Sequence, residues 1–473
     1  MAIPTETNML PINQMSKNMK HLFTAMIVTS LLVGCNDGKE KKVEPFAKGV
    51  FKEWAQTPPM GWNSWDCYGP TVEEHEVKAN ADYMADKLKS YGWEYIVVDI
   101  RWFVENDKAG GYNQKDPRYV LDKYGRYMPA VNRFPSAKDE KGFKLLADYV
   151  HGKGLKFGIH IMRGIPKEAV AKKLPIKGID GVTADQIYST EQQCPWLRDN
   201  YTIVADKPGA QEYYNSIFDM YAEWGVDFVK IDDLSNPYHQ PEIELIRNAI
   251  DQCGRKIVLS LSPGPTNVAK AEHVREHANM WRMVDDVWDL WRDVKQLLKV
   301  SQGWYPYIAP GTWPDCDMIP LGRISIRGER GADRMTRLTK DEQYSLMTLF
   351  TIFRSPLMFG GDLPSNDEFT LSLLTNKEVL KMHRESTGVN QLFQDESKVA
   401  ITSHNPNTDE VYLAIFNIDD EKSQDISVNL KTLGLNGDCK VVNMWTGEDM
   451  GTISNDLVQT LKPHASGLYK LSN

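Results

Sequence analysis

The sequence predicts an α/β protein: a (β/α)8 TIM barrel followed by a C-terminal antiparallel β-sandwich domain. Three observations carry this reading. Short apolar runs alternate with helical patterns from Pro59 to about Arg384. The runs are continuous rather than alternating, as parallel strands buried on both faces are. Beyond about Gly388 the helical period disappears, and short strands follow one another between turn residues.

The barrel elements come in order. "MGWNSW" is the first run, and Glu73 to Tyr91 has helical spacing at Val77, Ala81, Met84 and Leu88. "EYIVVDI" is the second strand. A helix near Lys141 to His151 precedes the third, "LKFGIHI", Leu155 to Ile161. A helix over Ala210 to Trp224 leads to "DFVKID", and another near Glu242 to Cys253 leads to "KIVLSLS", Lys256 to Ser262. "NMWRMVD", a helix near Trp288 to Val300, "YIAPG", a helix over Asp341 to Phe353 and "PLMFGG" complete the series. Roughly 330 residues of such units fit an eightfold barrel with long loops. "KVAITSHN", "EVYLAIFNI", "QDISVNL", "CKVVNMW", "GTISND" and "SGLYKL" then form the small β-domain, with turns at Asn405-Pro406-Asn407, Asp419-Asp420 and Thr446-Gly447.

The N-terminus reads as a targeting segment. Lys17 and Lys20 precede an apolar run from Leu22 to Val33, which ends in Leu32-Val33-Gly34-Cys35. A basic region, a short apolar region and a small residue before the cut make a secretory signal. The run is too short to span a bilayer. Leu-Val-Gly-Cys resembles the bacterial lipoprotein box, in which the cysteine becomes the lipidated first residue. The expected organisation is therefore a lipoprotein signal over residues 1–35 with Cys35 lipidated, a polar tether over 36–56, the barrel over 57–388 and the β-sandwich over 389–473. The protein is expected to be exported and held at a bacterial membrane, periplasmic or at the cell surface, by its N-terminal lipid only. A plain signal peptide with an incidental Cys35 is the alternative.

Composition excludes some partners. The chain has 473 residues, a net charge of −9 and no long basic block, so nucleic acid is not expected. Cys67, Cys194, Cys253, Cys316 and Cys439 are widely spaced and contain no CxxC, so they indicate no zinc site. Export permits disulfides, but the spacing assigns none. Thirteen Trp and twenty Tyr allow either core filling or sugar-stacking platforms. No HExxH, GxSxG or P-loop appears, so zinc peptidase, serine hydrolase and nucleotide chemistry lack support.

Acids stand just past the apolar runs: Asp99, Asp232/Asp233, Asp285/Asp286 and Asp317. In a barrel, the C-terminal strand ends form the active face. Carboxylate pairs suit glycoside hydrolysis, where one attacks the anomeric carbon and the other protonates the leaving oxygen. Lys230 and Asp232 share a strand face, and a cation beside an acid keeps it ionised, as a nucleophile requires. Asp233 would point elsewhere. By the same parity Asp286 shares the face of Arg282. Single acids in such places also serve as helix caps or structural ion pairs.

Five ordered blocks carry a resemblance: "TPPMGWNSWDCYG", "GVDFVKIDD", "WRMVDDVWDLW", "WPDCDM" and "SPLMFGGDL". Together they resemble the α-galactosidase family, glycoside hydrolase family 27. "VVNMWTGEDMG" and "LKPHASGLYKL" are similar to its C-terminal β-domain. The resemblance implies a retaining exo-glycosidase that acts on oligosaccharide or polysaccharide glycans with two Asp and no metal or organic cofactor. By motif it implies Asp232 as nucleophile and Asp286 as acid/base. Trp65, Asp99, Lys230, Arg282, Asp317 and Met318 match sugar-contacting positions.

The departures bear on the sugar. The family's two successive Asp after the second strand, which grip O4 and O6 of galactose, are here Asp99 and Ile100. The Tyr after strand three is matched by His160. A flanking family Cys is matched by Arg101, so that disulfide is not expected. "LSLSPGPT" replaces a Cys-Glu-Trp type block, and Ser262 falls where galactosidases carry Glu and α-N-acetylgalactosaminidases carry Ser. Ile100 removes an acceptor and adds apolar surface, so a galactose hydroxyl there would be desolvated without a partner. A sugar without the hydroxymethyl, β-L-arabinopyranose, or with a methyl in its place, α-D-fucose, would fit better. The expected substrate is a terminal α-D-galactosyl or other galactose-configured residue. β-L-arabinopyranoside is the alternative, with α-N-acetylgalactosaminide or a non-catalytic glycan-binding role behind it. Galactose would remain the substrate if His160 or Arg163 replaced the lost bonds.

Overall fold

A computed structural model describes residues 44–473; the signal segment, Cys35 and residues 36–43 of the tether lie outside the described residues, and the rest of the tether includes a 3-10 turn, Val50–Ala55, with Phe51, Trp54 and Ala55 buried. Nine short parallel strands form the barrel wall. They are β1 (Met60–Asn63), β2 (Tyr95–Val98), β3 (Lys156–Met162), β4 (Phe228–Asp232), β5 (Val258–Leu261), β6 (Met280–Arg282), β7 (Trp313–Asp315), β8 (Met318–Ile319) and β9 (Leu357–Phe359). Their order in the sheet is β7-β6-β5-β4-β3-β2-β1-β9-β8. The two ends of that order are neighbours in sequence, separated only by Cys316 and Asp317. The sheet thus closes into an eightfold ring whose seventh strand is broken in two. Asp317 makes the break with φ of 84°.

The strands are short because each needs only to cross the core. β1, β2 and β5 are buried at every position. Gly61 is required where β1 meets β2, since a Cβ there would stand 2.6 Å from Tyr95 Cβ. The helices begin and end on local signals. Thr339 caps Lys340–Phe353, its hydroxyl accepting from the Glu342 amide while Glu342 reaches back to the Thr339 amide. Ala210–Trp224 stops at Gly225, whose φ of 85° suits a glycine C-cap. The unit between β5 and β6 carries only the short helix Ala271–Arg275. "YIAPG" is not a strand: Tyr305–Tyr307 is a 3-10 turn, and the seventh strand begins at Trp313. Pro306 and Pro310 cannot donate to a ladder, which explains the displacement.

The C-terminal domain has eight antiparallel strands, β10 (Thr387–Gln394), β11 (Lys398–His404), β12 (Val411–Asn417), β13 (Gln424–Asn429), β14 (Cys439–Asn443), β15 (Asp449–Ile453), β16 (Asp456–Leu461) and β17 (Ser466–Ser472). Six form one sheet, β10-β11-β12-β17-β14-β15, and β13 pairs with β16. β12 is buried on both faces and shows the period of two. Tyr412, Ala414 and Phe416 join the barrel's core, while Val411, Leu413 and Ile415 pack inside the sandwich with Ile426, Val428 and Leu457. One face of the sheet thus joins the barrel's core while the sandwich keeps a second cluster of its own, and Trp445 Nε1 ties the domains further by donating to Thr348 Oγ1 at 2.8 Å. The five described cysteines are buried free thiols. Among the described residues no helix is long and apolar enough to cross a membrane.

Candidate active site

The strand ends open into a cavity of about 290 Å³. Its wall is built strand by strand. Trp65 follows β1, and its ring lies 5.0 Å from that of Tyr112. Asp99 follows β2. Its Oδ2 accepts from Asn63 Nδ2 at 2.8 Å and lies 3.5 Å from Lys230 Nζ, and its Oδ1 accepts from the Ile100 amide at 2.9 Å. β3 and β4 pair in register, setting His160 level with Lys230 and Met162 level with Asp232.

His160 therefore stands between two acids. Its Nδ1 is 3.3 Å from Asp99 Oδ1 and its Nε2 is 3.5 Å from Asp232 Oδ2. Asp232 also accepts at Oδ1 from Ser262 Oγ at 3.2 Å and from the Asp233 amide at 2.9 Å. Burial pushes the Asp232 carboxyl up, but His160, Lys230 and that amide more than offset it and hold it at about 2. Lys230 faces the same cavity as Asp232, while its direct carboxylate contact is Asp99. Burial works against the ammonium, but Asp99 and Asp317 lift it to about 12, so it stays charged.

β5 supplies Ser262 and β6 supplies Arg282, which divides its guanidinium between two acids. Nη2 reaches Asp286 Oδ1 at 3.2 Å and Nη1 reaches Asp317 Oδ1 at 2.6 Å. Asp232 is 13% exposed and Asp286 is 35% exposed, so one acid sits deep and the other at the mouth. Asp285 lies on the mouth as well. Met318, just beyond the break in the seventh strand, completes the wall.

Five residues singled out in the sequence lie off this wall. Asp317 is buried behind it, with Oδ2 accepting from the Val287 amide at 2.8 Å, so it braces the loop that carries Asp286. Burial raises its carboxyl, with Arg282 opposing. Ile100 is fully buried, next to Asp99 but outside the lining. Arg163 is committed elsewhere: its guanidinium reaches Asp233 Oδ2 at 2.9 Å and Glu242 Oε2 at 2.8 Å, so it is not aimed at a sugar. Asp233 turns away from the cavity into that network, and burial lifts its carboxyl to about 7 against the pull of Arg163. Arg101, where the family carries Cys, clamps Asp199 through Nε at 2.9 Å and Nη2 at 3.1 Å, anchoring the loop after β2.

Five lining residues had no signal in the sequence: Tyr112, Trp196, Asn236, Glu329 and Arg330. Glu329 and Arg330 come from the loop of a small hairpin, Arg323–Ile324 with Arg334–Met335. Glu329 Oε2 accepts from Trp65 Nε1 at 3.3 Å, and Arg330 lies 3.9 Å from Asp286. The buried Asp289 holds the hairpin through Arg334 and the following chain through Arg337, at 2.6 and 2.8 Å. Most of the tryptophans fill the core, Trp62, Trp93, Trp281 and Trp313 among them. Trp65 and Trp196 line the cavity.

Comparisons with known proteins place this geometry. The profile for "Alpha galactosidase A" matches residues 57–170 and 197–385, and that for the "Alpha galactosidase C-terminal beta sandwich domain" matches 396–471. The crystal structure of a family-27 β-L-arabinopyranosidase from Geobacillus stearothermophilus is 51% identical, with a TM-score of 0.88 over 90% of this chain and 99% of that one. A variant of that enzyme in complex with arabinose aligns equally well, with a TM-score of 0.87. A structure from Bacillus halodurans, provisionally assigned as an α-N-acetylgalactosaminidase, is 48% identical with a TM-score of 0.80, over 88% of this chain and 97% of that one. Among curated sequences, α-galactosidase A of Cellvibrio japonicus is 28% identical over 379 residues, 77% of this chain and 74% of its own.

Proposed function

Because the chain belongs to glycoside hydrolase family 27, we propose that it hydrolyses terminal β-L-arabinopyranosides, with α-D-galactosides as the second reading. Asp232 is the nucleophile: it is deep, ionised and held by His160, Ser262 and the Asp233 amide. Asp286 is the acid/base: it sits at the mouth, where the leaving group departs, with Arg282 and Arg330 beside it. The cavity of about 290 Å³ lies at the small end of the ~300–1,000 Å³ typical of ligand sites, which suits one terminal sugar.

The observation that carries the sugar assignment is Ile100: where the resemblance implies a second galactose-gripping Asp, this chain has an apolar side chain that is buried outside the lining and offers the sugar no acceptor. The neighbouring Asp99 is already shared among Asn63, Lys230 and His160, so it has little capacity to take over a second hydroxyl. Arg163 is occupied by Asp233 and Glu242. The 51% identity to the Geobacillus β-L-arabinopyranosidase supports the same order of preference. α-Galactosidases among the relatives keep galactose as the second reading.

A panel of nitrophenyl glycosides tests this: β-L-arabinopyranoside, α-D-galactoside, α-D-fucoside and α-N-acetylgalactosaminide. The arabinopyranoside is expected to show the highest kcat/KM. A higher value for the galactoside would reverse the assignment, and hydrolysis unchanged in Asp232→Asn would overturn the mechanism. Export and lipidation at Cys35 belong to the same proposal. Metabolic labelling with a fatty acid should mark the wild type and not Cys35→Ser.

A further inference from the structure

Away from the catalytic face, three metal-ligating side chains converge where helix Gln240–Gln252 meets the short helix Ala271–Arg275. They are Glu244, His273 and His277, and one donor atom from each lies within 4.8 Å of the other two. His273 Nε2 is 3.1 Å from Glu244 Oε1. The two imidazoles stack one helical turn apart, centroids 4.1 Å apart and planes 18° off parallel. None of the three lines the catalytic cavity.

The far side of each ring is already fixed. The Tyr238 hydroxyl meets His273 Nδ1 at 2.6 Å. His277 Nδ1 is 2.7 Å from the His273 carbonyl, which can only accept, so that nitrogen carries the proton and a neutral His277 presents an unprotonated Nε2. Gln240 Nε2 steadies Glu244 by donating to Oε1 at 3.0 Å. Metal-bound histidines are oriented in this way, through a partner on the nitrogen that does not bind. An ordinary His–Glu ion pair accounts for the His273–Glu244 contact. It does not account for a second ring laid parallel with a free nitrogen.

We propose that Glu244, His273 and His277 form a peripheral site for a borderline divalent cation of the Zn²⁺ type, with water completing its coordination. Ligand bonds of ~2.0–2.2 Å in a tetrahedron leave neighbouring donors roughly 3.3 Å apart. The Glu244–His273 pair is already near that spacing; His277, whose donor lies within 4.8 Å of both, closes the other two edges by turning out of its stack on His273. The cation takes the place of the proton now shared between His273 Nε2 and Glu244, and the Tyr238 hydroxyl turns to accept from Nδ1. Lys270 is close, its Nζ bonded to Gln240 Oε1 at 3.2 Å, and its charge opposes a cation. The site is therefore exchangeable rather than fold-building.

The full-length protein, stripped with chelator, is titrated with Zn²⁺ by calorimetry and by thermal shift. One saturable equivalent and a raised Tm are expected. His277→Ala and Glu244→Gln should each weaken binding at least tenfold, and Lys270→Ala should tighten it. Glu244→Gln preserves size and helix, so its loss of binding is not a loss of fold. Hydrolysis of the best nitrophenyl glycoside should be the same in all variants. Absence of saturable Zn²⁺ binding, or binding that both ligand variants keep within twofold of wild type, overturns the proposal.

Discussion

Asp99 and Asp232 share one imidazole: His160 approaches the first through Nδ1 at 3.3 Å and the second through Nε2 at 3.5 Å. The acid proposed to bind the sugar and the acid proposed to attack it are therefore both faced by a single side chain from the strand between them. Where the resemblance implies a Tyr, this chain carries an imidazole that faces the proposed nucleophile.

His160→Gln should move the acid limb of the kcat/KM–pH profile to higher pH. The nucleophile must be ionised, and with His160 gone the burial that raises its carboxyl is less opposed. The limb is expected to rise by about one unit or more above the wild-type position. An unmoved limb, with only kcat reduced, would show that His160 does not set the charge of Asp232.

Ile100→Asp should raise the ratio of α-galactoside to β-L-arabinopyranoside kcat/KM by roughly tenfold or more, because it restores an acceptor for a hydroxyl. Ile100 is fully buried, so the new carboxyl will cost stability. The ratio is independent of the fraction of active protein, and a flat or falling ratio would sink the account of this position.

Asp286→Ala should abolish hydrolysis of a natural glycan while sparing much of the first step on a nitrophenyl glycoside, whose leaving group needs little protonation. Added azide should then accelerate turnover and give a glycosyl azide. Asp232→Ala should show no comparable residual first step. If the two variants respond alike to leaving group, the roles assigned to them are wrong.

Gly264→Ala tests how tightly the acid/base loop is packed. A Cβ at 264 would stand 1.9 Å from Val284 O and 2.4 Å from Val284 C, two residues before Asp286. Backbone must shift to admit it. Lower Tm and a kcat reduced by roughly tenfold or more are expected, as misplacement of about 1 Å is costly to positioned groups. Full activity would mean that this loop tolerates displacement.

The parts of the site legible in the sequence are those carried by strands. Asp99, Lys230, Asp232 and Arg282 follow apolar runs, and the barrel rule places such residues on the active face. Trp65 and Met318 were legible only through family motifs. Tyr112, Trp196, Glu329 and Arg330 arrive on long connections where no period constrains the chain, and their place in the cavity depends on distant anchors such as Asp289 with Arg334. Strand parity foresaw Asp233 turning away from Asp232. It could not foresee that Lys230 pairs with Asp99, since that choice belongs to β2, two strands away. The missed seventh strand has a simple cause: its two short pieces are broken at Cys316-Asp317, and they lie in a motif read as chemistry.

The broken seventh strand has a consequence for how the enzyme matures. β1 and β9 meet across nearly three hundred residues of intervening chain, and contacts so distant are expensive to form early. Asp317 stands where β7 gives way to β8, the strand that pairs with β9, and also grips Arg282 and the Val287 amide. Arg282 and its neighbour Asp286 are therefore not in place until the ring has shut. Catalytic competence should be the last property a refolding chain acquires. Activity regained in step with helix content, rather than after it, would contradict this order.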